Sequence, residues 1–191
     1  MEPLTINTNA FNLTEEELFI FCTENRDLRI EMDENKQIYI MSPTRGITGN
    51  RNMAVSAILY LWNKNKKTGY VFDSSSGFTL PSGAMRSPDA AWIKKEKWEA
   101  LSIEDREKFA HICPDFIIEI KSKTDSLKEQ QNKMQEWLEN GCCLGWLIDF
   151  DNKIVYIYKP KHEVSVINTF ATPISDEDVL QGFELNLNEI E

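Results

Sequence analysis

The segment Phe116-Ile-Ile-Glu-Ile-Lys121 constrains this chain more than any other stretch. Its β-branched content makes it a strand, and residues two apart in a strand share a face. Phe116, Ile118 and Ile120 therefore point one way, toward a covering helix. Ile117, Glu119 and Lys121 point the other way. Glu and Lys are almost never fully buried unless they are paired or working. A carboxylate and an ammonium on one face of an apolar strand thus mark either a set of ordinary surface ion pairs or a reaction centre.

The elements around this strand predict an α/β layer structure. Thr14-Glu-Glu-Glu17 has the capping-box form and opens a short helix to about residue 22. Residues 28–41 alternate around Asp33-Glu-Asn-Lys36, a hairpin pattern. A longer helix is expected over 47–66, with Met53, Ile58, Leu61 and Trp62 inward and Gly69 following its end. Strands follow at 70–73, 77–80 and 89–93, with Pro81-Ser-Gly83 turning between the last two. Residues 102–109 read as a small surface helix. Ser126-Leu-Lys-Glu129 caps a helix ending at Asn140-Gly141, whose apolar face is Leu127, Met134, Trp137 and Leu138. A buried strand over 144–150, a hairpin partner over 153–158 and an edge strand over 164–167 complete a mixed sheet. With 191 residues and no repeat or Gly/Ser linker, one domain spanning 1–191 is expected.

A second carboxylate, Asp89, comes from a neighbouring strand in Ser87-Pro-Asp89. Asp89 and Glu119, with the Ile120 carbonyl as a third donor, make an oxygen set that suits magnesium, and manganese takes the same ligands. Such an ion polarises a phosphoryl oxygen and lowers the pKa of an attacking water. Lys121 beside it would orient that water or stabilise charge developing on phosphorus. Asp115 shares the face of Glu119 but lies four residues away, about 13 Å along a strand and too far for one shared ion. The competing reading makes Glu119 and Lys121 a partly exposed strand face and Asp89 a turn residue after Pro88.

Pro88-Asp89 with Glu119-Ile120-Lys121 resembles the proline-aspartate, acid-x-lysine signature of restriction-endonuclease-like nucleases. The likeness extends through Arg86-Ser-Pro-Asp-Ala-Ala-Trp92, Cys113-Pro-Asp-Phe-Ile-Ile-Glu-Ile-Lys-Ser122, Lys133-Met-Gln-Glu-Trp137, Gly145-Trp-Leu-Ile-Asp149 and Asp178-Val-Leu-Gln-Gly-Phe183. These stretches resemble the Uma family, whose members are commonly labelled restriction endonucleases and abound in cyanobacteria. The resemblance implies a restriction-endonuclease-like fold with a central mixed sheet flanked by helices, a magnesium-type metal, DNA as substrate and a homodimer. Many family members carry another residue where this chain has Lys121 and keep a lysine matching Lys133. Lys133 is thereby implied to share or take over the lysine's role. Superfamily members also place an acid or polar residue on the helix before the sheet. Here Asn50 is nearest to that place, and no Glu occurs within 47–60.

A net charge of -10 works against nonspecific binding to nucleic acid, which depends on phosphate neutralisation. The best basic group is Arg45, Arg51, Lys64, Lys66 and Lys67, which reads either as a contact for DNA phosphates or as a solvated helix end offsetting the helix dipole. The four cysteines lack a CxxC spacing and read as free thiols. His111 reads as structural, and Trp92, Trp98, Trp137 and Trp146 as core or dimer anchors. No apolar run approaches the ~18 residues that span a bilayer, and the start Met1-Glu-Pro-Leu-Thr-Ile-Asn7 lacks a secretory pattern. A cytoplasmic location is the expectation. The function expected is hydrolysis of DNA phosphodiester bonds by a metal-activated water. The alternatives are a non-catalytic interaction module on the same fold, and a metal-dependent hydrolase of RNA or small phosphate esters.

Overall fold

The computed structural model describes residues 3–8, 10 and 13–190. Met1 and Glu2, part of the start weighed above for a secretory pattern, lie outside the described residues. The chain begins with β1 (Leu4–Asn7), α1 (Glu15–Glu24), the hairpin β2 (Arg29–Met32) and β3 (Gln37–Met41), and α2 (Gly46–Lys66). Next come β4 (Gly69–Asp73), β5 (Phe78–Thr79), β6 (Met85–Arg86), β7 (Ala90–Lys94), α3 (Lys95–Glu99), α4 (Ile103–Arg106) and β8 (Ala110–His111). The second half holds β9 (Phe116–Lys121), α5 (Leu127–Glu139), β10 (Leu144–Asp149), β11 (Ile154–Tyr158), β12 (Ser165–Ile167), β13 (Ile174–Ser175) and β14 (Glu184–Leu185).

One six-stranded sheet runs in the order β12-β11-β10-β9-β7-β4. Parallel strands need a crossover; α5 supplies it between β9 and β10, which pair with Glu119 opposite Leu147 and Lys121 opposite Asp149. On the other side of β9, β7 is antiparallel, with Ala90 opposite Ile118. The sheet is therefore mixed and covered by helices, as the sequence suggested. Phe116, Ile118 and Ile120 pack with Val55 and Leu59 of α2 and with Phe183. Ile117 packs with Met134 and Trp137 of α5. Each such fully buried large side chain contributes roughly 1.5–3 kcal/mol. The period-two alternation of β9 is the division between two covering layers. Gly145 lets α5 lie down on β10, since a Cβ there would stand 2.5 Å from the Met134 methyl.

A second sheet runs β1-β3-β2-β6-β5-β8. α1 covers it through Leu18, which joins Ile30, Met32, Ile38 and Met85 in a separate core. The expected capping box is present: Thr14 caps α1, and Glu17 bonds back to the Thr14 amide.

Several expectations need correction. Met53 and Leu61 of α2 are 70% and 56% exposed, and the buried residues of this helix are Asn52, Val55, Leu59 and Asn63. These four share one helical face; two asparagines stand where apolar residues were sought. Gly69 does follow the end of the helix, as expected, while the C-cap itself is Lys67 in the left-handed conformation, φ 57°. Gly69 opens β4, where a Cβ would lie 2.3 Å from the Ile93 carbonyl oxygen. The Pro81-Ser-Gly83 turn joins β5 to β6, a pairing the sequence reading lacked, and Gly83 adopts φ +85°. The helix expected over 102–109 shortens to α4, with Ser102 as its cap.

Candidate active site

Asp89 stands one residue before β7, held by hydrogen bonds to both carboxylate oxygens. The Ile120 amide donates to Oδ2 at 2.8 Å, and Asn52 Nδ2 of α2 donates to Oδ1 at 2.8 Å. Arg29 of β2 lies 3.8 Å from Oδ1 and donates to the Ser87 carbonyl. The preceding loop is thus tied to the hairpin, which fixes the direction from which Asp89 enters. Glu119 lies on the face of β9 that α5 covers. Its Oε1 accepts from Trp137 Nε1 at 3.1 Å and lies 2.9 Å from Lys133 Nζ. Lys133 and Trp137 are four residues apart on α5, so one helical face delivers both donors.

The hairpin contributes a third acid. Glu31, 3% exposed, receives Lys133 Nζ at 3.1 Å and the Ser87 amide at 3.2 Å on Oε1. Its Oε2 lies 3.3 Å from Arg86, which in turn pairs with Glu136 at 2.8 Å. Among the described residues, the four acids Asp89, Glu119, Glu31 and Glu136 share three basic partners, Arg29, Arg86 and Lys133, so carboxyl groups outnumber cations by one. Burial pushes the Glu119 carboxyl up to about 7; Asp89 and Glu31 add to this, and Lys133 opposes it. Burial also raises Asp89, against Arg29 and the Ile120 amide. Glu31 is held below its ordinary value: burial opposes its charge, but Lys133, Arg86 and Arg29 outweigh that.

These groups line a cleft of about 1090 Å³. Among the described residues no three His, Cys, Asp or Glu side chains form a ready metal cage. Two carboxylates with a neighbouring backbone oxygen are nevertheless the donor types that hold magnesium together with water and substrate oxygens. One further observation fits: Asn52 Oδ1 is buried beside Asp89 with no hydrogen-bond partner, an oxygen whose desolvation nothing in the chain repays. The donor set therefore fits a hard divalent cation on Asp89, Glu119 and the Ile120 carbonyl.

The structure brings together Asp89, Glu119, Ile120 and Lys133. It draws Lys121 away. Register places Lys121 beside Asp149 of β10, and its Nζ lies 3.4 Å from that carboxylate. Burial pushes the Asp149 carboxyl up, but bonds from Asn152 and the Lys121 charge outweigh it and hold it low. Lys121 is not among the residues lining the cleft, whereas Lys133 is. Asn50 is exposed, and the helix residue at the site is Asn52. Asp115 serves structure at the other end of β9, accepting from the Lys94 amide and pairing with Lys97.

The five basic residues do not form one group. Arg45 caps α2 at the cleft, and Arg51 lies over the Phe150 ring near Asp151. Lys64, Lys66 and Lys67 sit at the opposite end of α2, about 30 Å away at 1.5 Å per residue. His111 bridges Asp105 and Glu15 at 2.6 and 2.8 Å, and hydrogen bonds to Glu15 and Asp105 raise its pKa. Trp92, Trp137 and Trp146 are core. All four cysteines are free. Sequence reasoning missed Glu31 and Asn52. The signals were a carboxylate between two apolar residues of a short strand and a polar residue in helical phase with Val55 and Leu59.

The mixed sheet flanked by helices is an α/β fold of the restriction-endonuclease-like kind. The Uma2 family, described as "Putative restriction endonuclease", matches residues 15–188, and the chain belongs to that family. The chain is also similar to a solved structure described as "a putative nuclease belonging to DUF820 from Anabaena variabilis ATCC 29413". The two share 22% identity over 84% of this chain and 88% of that one, with a TM-score of 0.70. At that identity the likeness shows the shared fold. Comparison with curated proteins finds no match.

Proposed function

We propose that this chain is a metal-dependent nuclease that hydrolyses DNA phosphodiester bonds. The observation that supports this most is the meeting of two buried carboxylates, Asp89 and Glu119, with Lys133 on one of them. Magnesium or manganese held there would polarise the phosphoryl oxygen and lower the pKa of an attacking water. Asn52 and the Ile120 amide fix both oxygens of Asp89, so the ligand is oriented before substrate arrives. Trp137 holds one oxygen of Glu119, Oε1, through its indole N–H. Lys133 supplies positive charge next to the place where charge builds on phosphorus, and such preorganised charge is often the largest catalytic contribution. In this reading Lys121 is a support for β10 through Asp149, and the lysine of the chemistry is Lys133.

Membership in a family described as restriction endonucleases favours DNA as the substrate. One observation favours a second reading. Nine Asp and Glu side chains line the cleft against four Arg and Lys among the described residues. Such a surface suits a single strand or a small phosphodiester better than duplex DNA, whose affinity rests on phosphate neutralisation.

The test is cleavage with Mn²⁺ of plasmid DNA, single-stranded RNA and bis(4-nitrophenyl) phosphate. Asp89→Asn and Glu119→Gln are each expected to reduce turnover by about 100-fold or more, the scale of losing one transition-state charge contact. Turnover confined to the RNA or the small ester would select the second reading. Turnover that both variants retain would refute the assignment of the centre.

A further inference from the structure

Resting on the reading of Asp89 and Glu119 as a metal site, we propose that Glu31 is a positioning residue. It holds Lys133 at the reaction centre and becomes the sole partner of its ammonium when Glu119 engages a divalent cation. The geometry is a shared ammonium: Lys133 Nζ lies 2.9 Å from Glu119 Oε1 and 3.1 Å from Glu31 Oε1. The Lys133 side chain is 17% exposed, and those of Glu119 and Glu31 are 5% and 4% exposed. Removing one partner of such a buried pair leaves an uncompensated charge and is strongly unfavourable.

A divalent ion and this ammonium compete for the same carboxylate. If Lys133 had only Glu119, a metal arriving at Glu119 would strand the ammonium, and the ion pair would oppose binding. Glu31 removes that conflict, because Lys133 keeps a carboxylate whichever cation Glu119 holds. Glu31 is itself immobilised. It accepts from the Ser87 amide at 3.2 Å, two residues before Asp89, and pairs with Arg86 at 3.3 Å. Arg86 is anchored on Glu136 at 2.8 Å. The lysine is therefore indexed to the same loop that presents Asp89. The local sequence explains the placement. Ile30 and Met32 belong to the core beneath α1, so alternation along β2 turns Glu31 to the opposite face, over the cleft.

The experiment is calorimetric titration with Mn²⁺ of the wild type, Glu31→Gln, Lys133→Met and the double variant, with thermal melts to verify folding. Glu31→Gln should weaken Mn²⁺ binding by about 10–100-fold, the range for outer partners of a metal ligand. Lys133→Met should tighten it, because the competing ammonium is gone. In the Lys133→Met background Glu31→Gln should cost only about threefold, what a single screened charge contributes. Equal losses in both backgrounds would overturn the proposal, since Glu31 would then act by its own charge or through the fold. If Glu31→Gln does not fold, Lys133→Met decides: unchanged or weaker Mn²⁺ binding contradicts competition for Glu119. A wild type that binds no Mn²⁺ overturns the metal reading and this inference with it, whereas binding without coupling overturns this inference alone.

Discussion

Glu119 keeps an ionisable group where burial resists its charge, and the consequence is readable as stability against pH. Its ordinary value is 4.5, and burial lifts it to about 7 in the folded chain. The folded state therefore holds the proton to higher pH than the unfolded state does. The favourable contribution of this group is complete below about pH 4.5 and is lost as pH rises through about 7. In urea denaturation, the stability difference between wild type and Glu119→Gln should shift toward the variant by on the order of 1–3 kcal/mol from about pH 5 to pH 8. A difference that stays flat across that interval would show that Glu119 ionises in the folded chain as freely as in water. At this scale the sequence carried part of the site. Asp89 and Glu119 were legible because Pro-Asp and strand alternation are local signals. The true partner of Lys121 was not, since Asp149 is its neighbour through the register of β10, which no local spacing encodes. Glu31 escaped notice because a single carboxylate in a four-residue strand looks like an exposed face until the cleft closes over it.

Elements differed in how plainly they could be read. In α5 the expected apolar face packs inward, with Met134 and Trp137 buried and Leu127 and Leu138 partly buried. The reason is contrast: the rest of that helix is charged or amide. In α2, apolar residues occur all round, and its inner face carries Asn52 and Asn63, which serve particular partners. Asn63 accepts from the Trp92 indole at 2.9 Å and donates to the Gly69 carbonyl at 2.8 Å. Two polar residues used inside displaced Met53 and Leu61 from the predicted core. The strands of two residues, β5, β6, β8, β13 and β14, hold too few positions to show a period at all. The junction of α2, β4 and β7 gives a prediction at this scale. Gly69→Ala would push a Cβ to 2.3 Å from a backbone oxygen and 2.4 Å from the Trp92 indole nitrogen. It should lower stability by about 1–3 kcal/mol, the usual cost of overpacking, measured as a lower denaturation midpoint at unchanged slope. An unchanged midpoint would mean that β4 moves freely against β7.

For the molecule as a whole, charge is the property that most shapes the account. The chain carries -10, the cleft is richer in acids than in bases, and the centre holds one more carboxylate than it has cations. A polyanionic substrate meets repulsion there until a cation reduces it, so metal binding should precede and promote substrate binding. The layer order and the mixed sheet were legible from element order alone. The placement of a second sheet over the cleft was not, because it depends on the pairing of β2 with β6 across more than fifty residues. That sheet supplies Arg29, Glu31 and Arg86, three of the seven charged groups of the network. Among the described residues no helix is long and apolar enough to cross a membrane. The most direct test of the central claim is calorimetric titration of metal-free protein with Mn²⁺, run beside Glu119→Gln. The wild type should bind Mn²⁺, and that binding should disappear in the variant. Binding of equal strength in both proteins would contradict that claim, because the metal would then sit somewhere other than on Glu119.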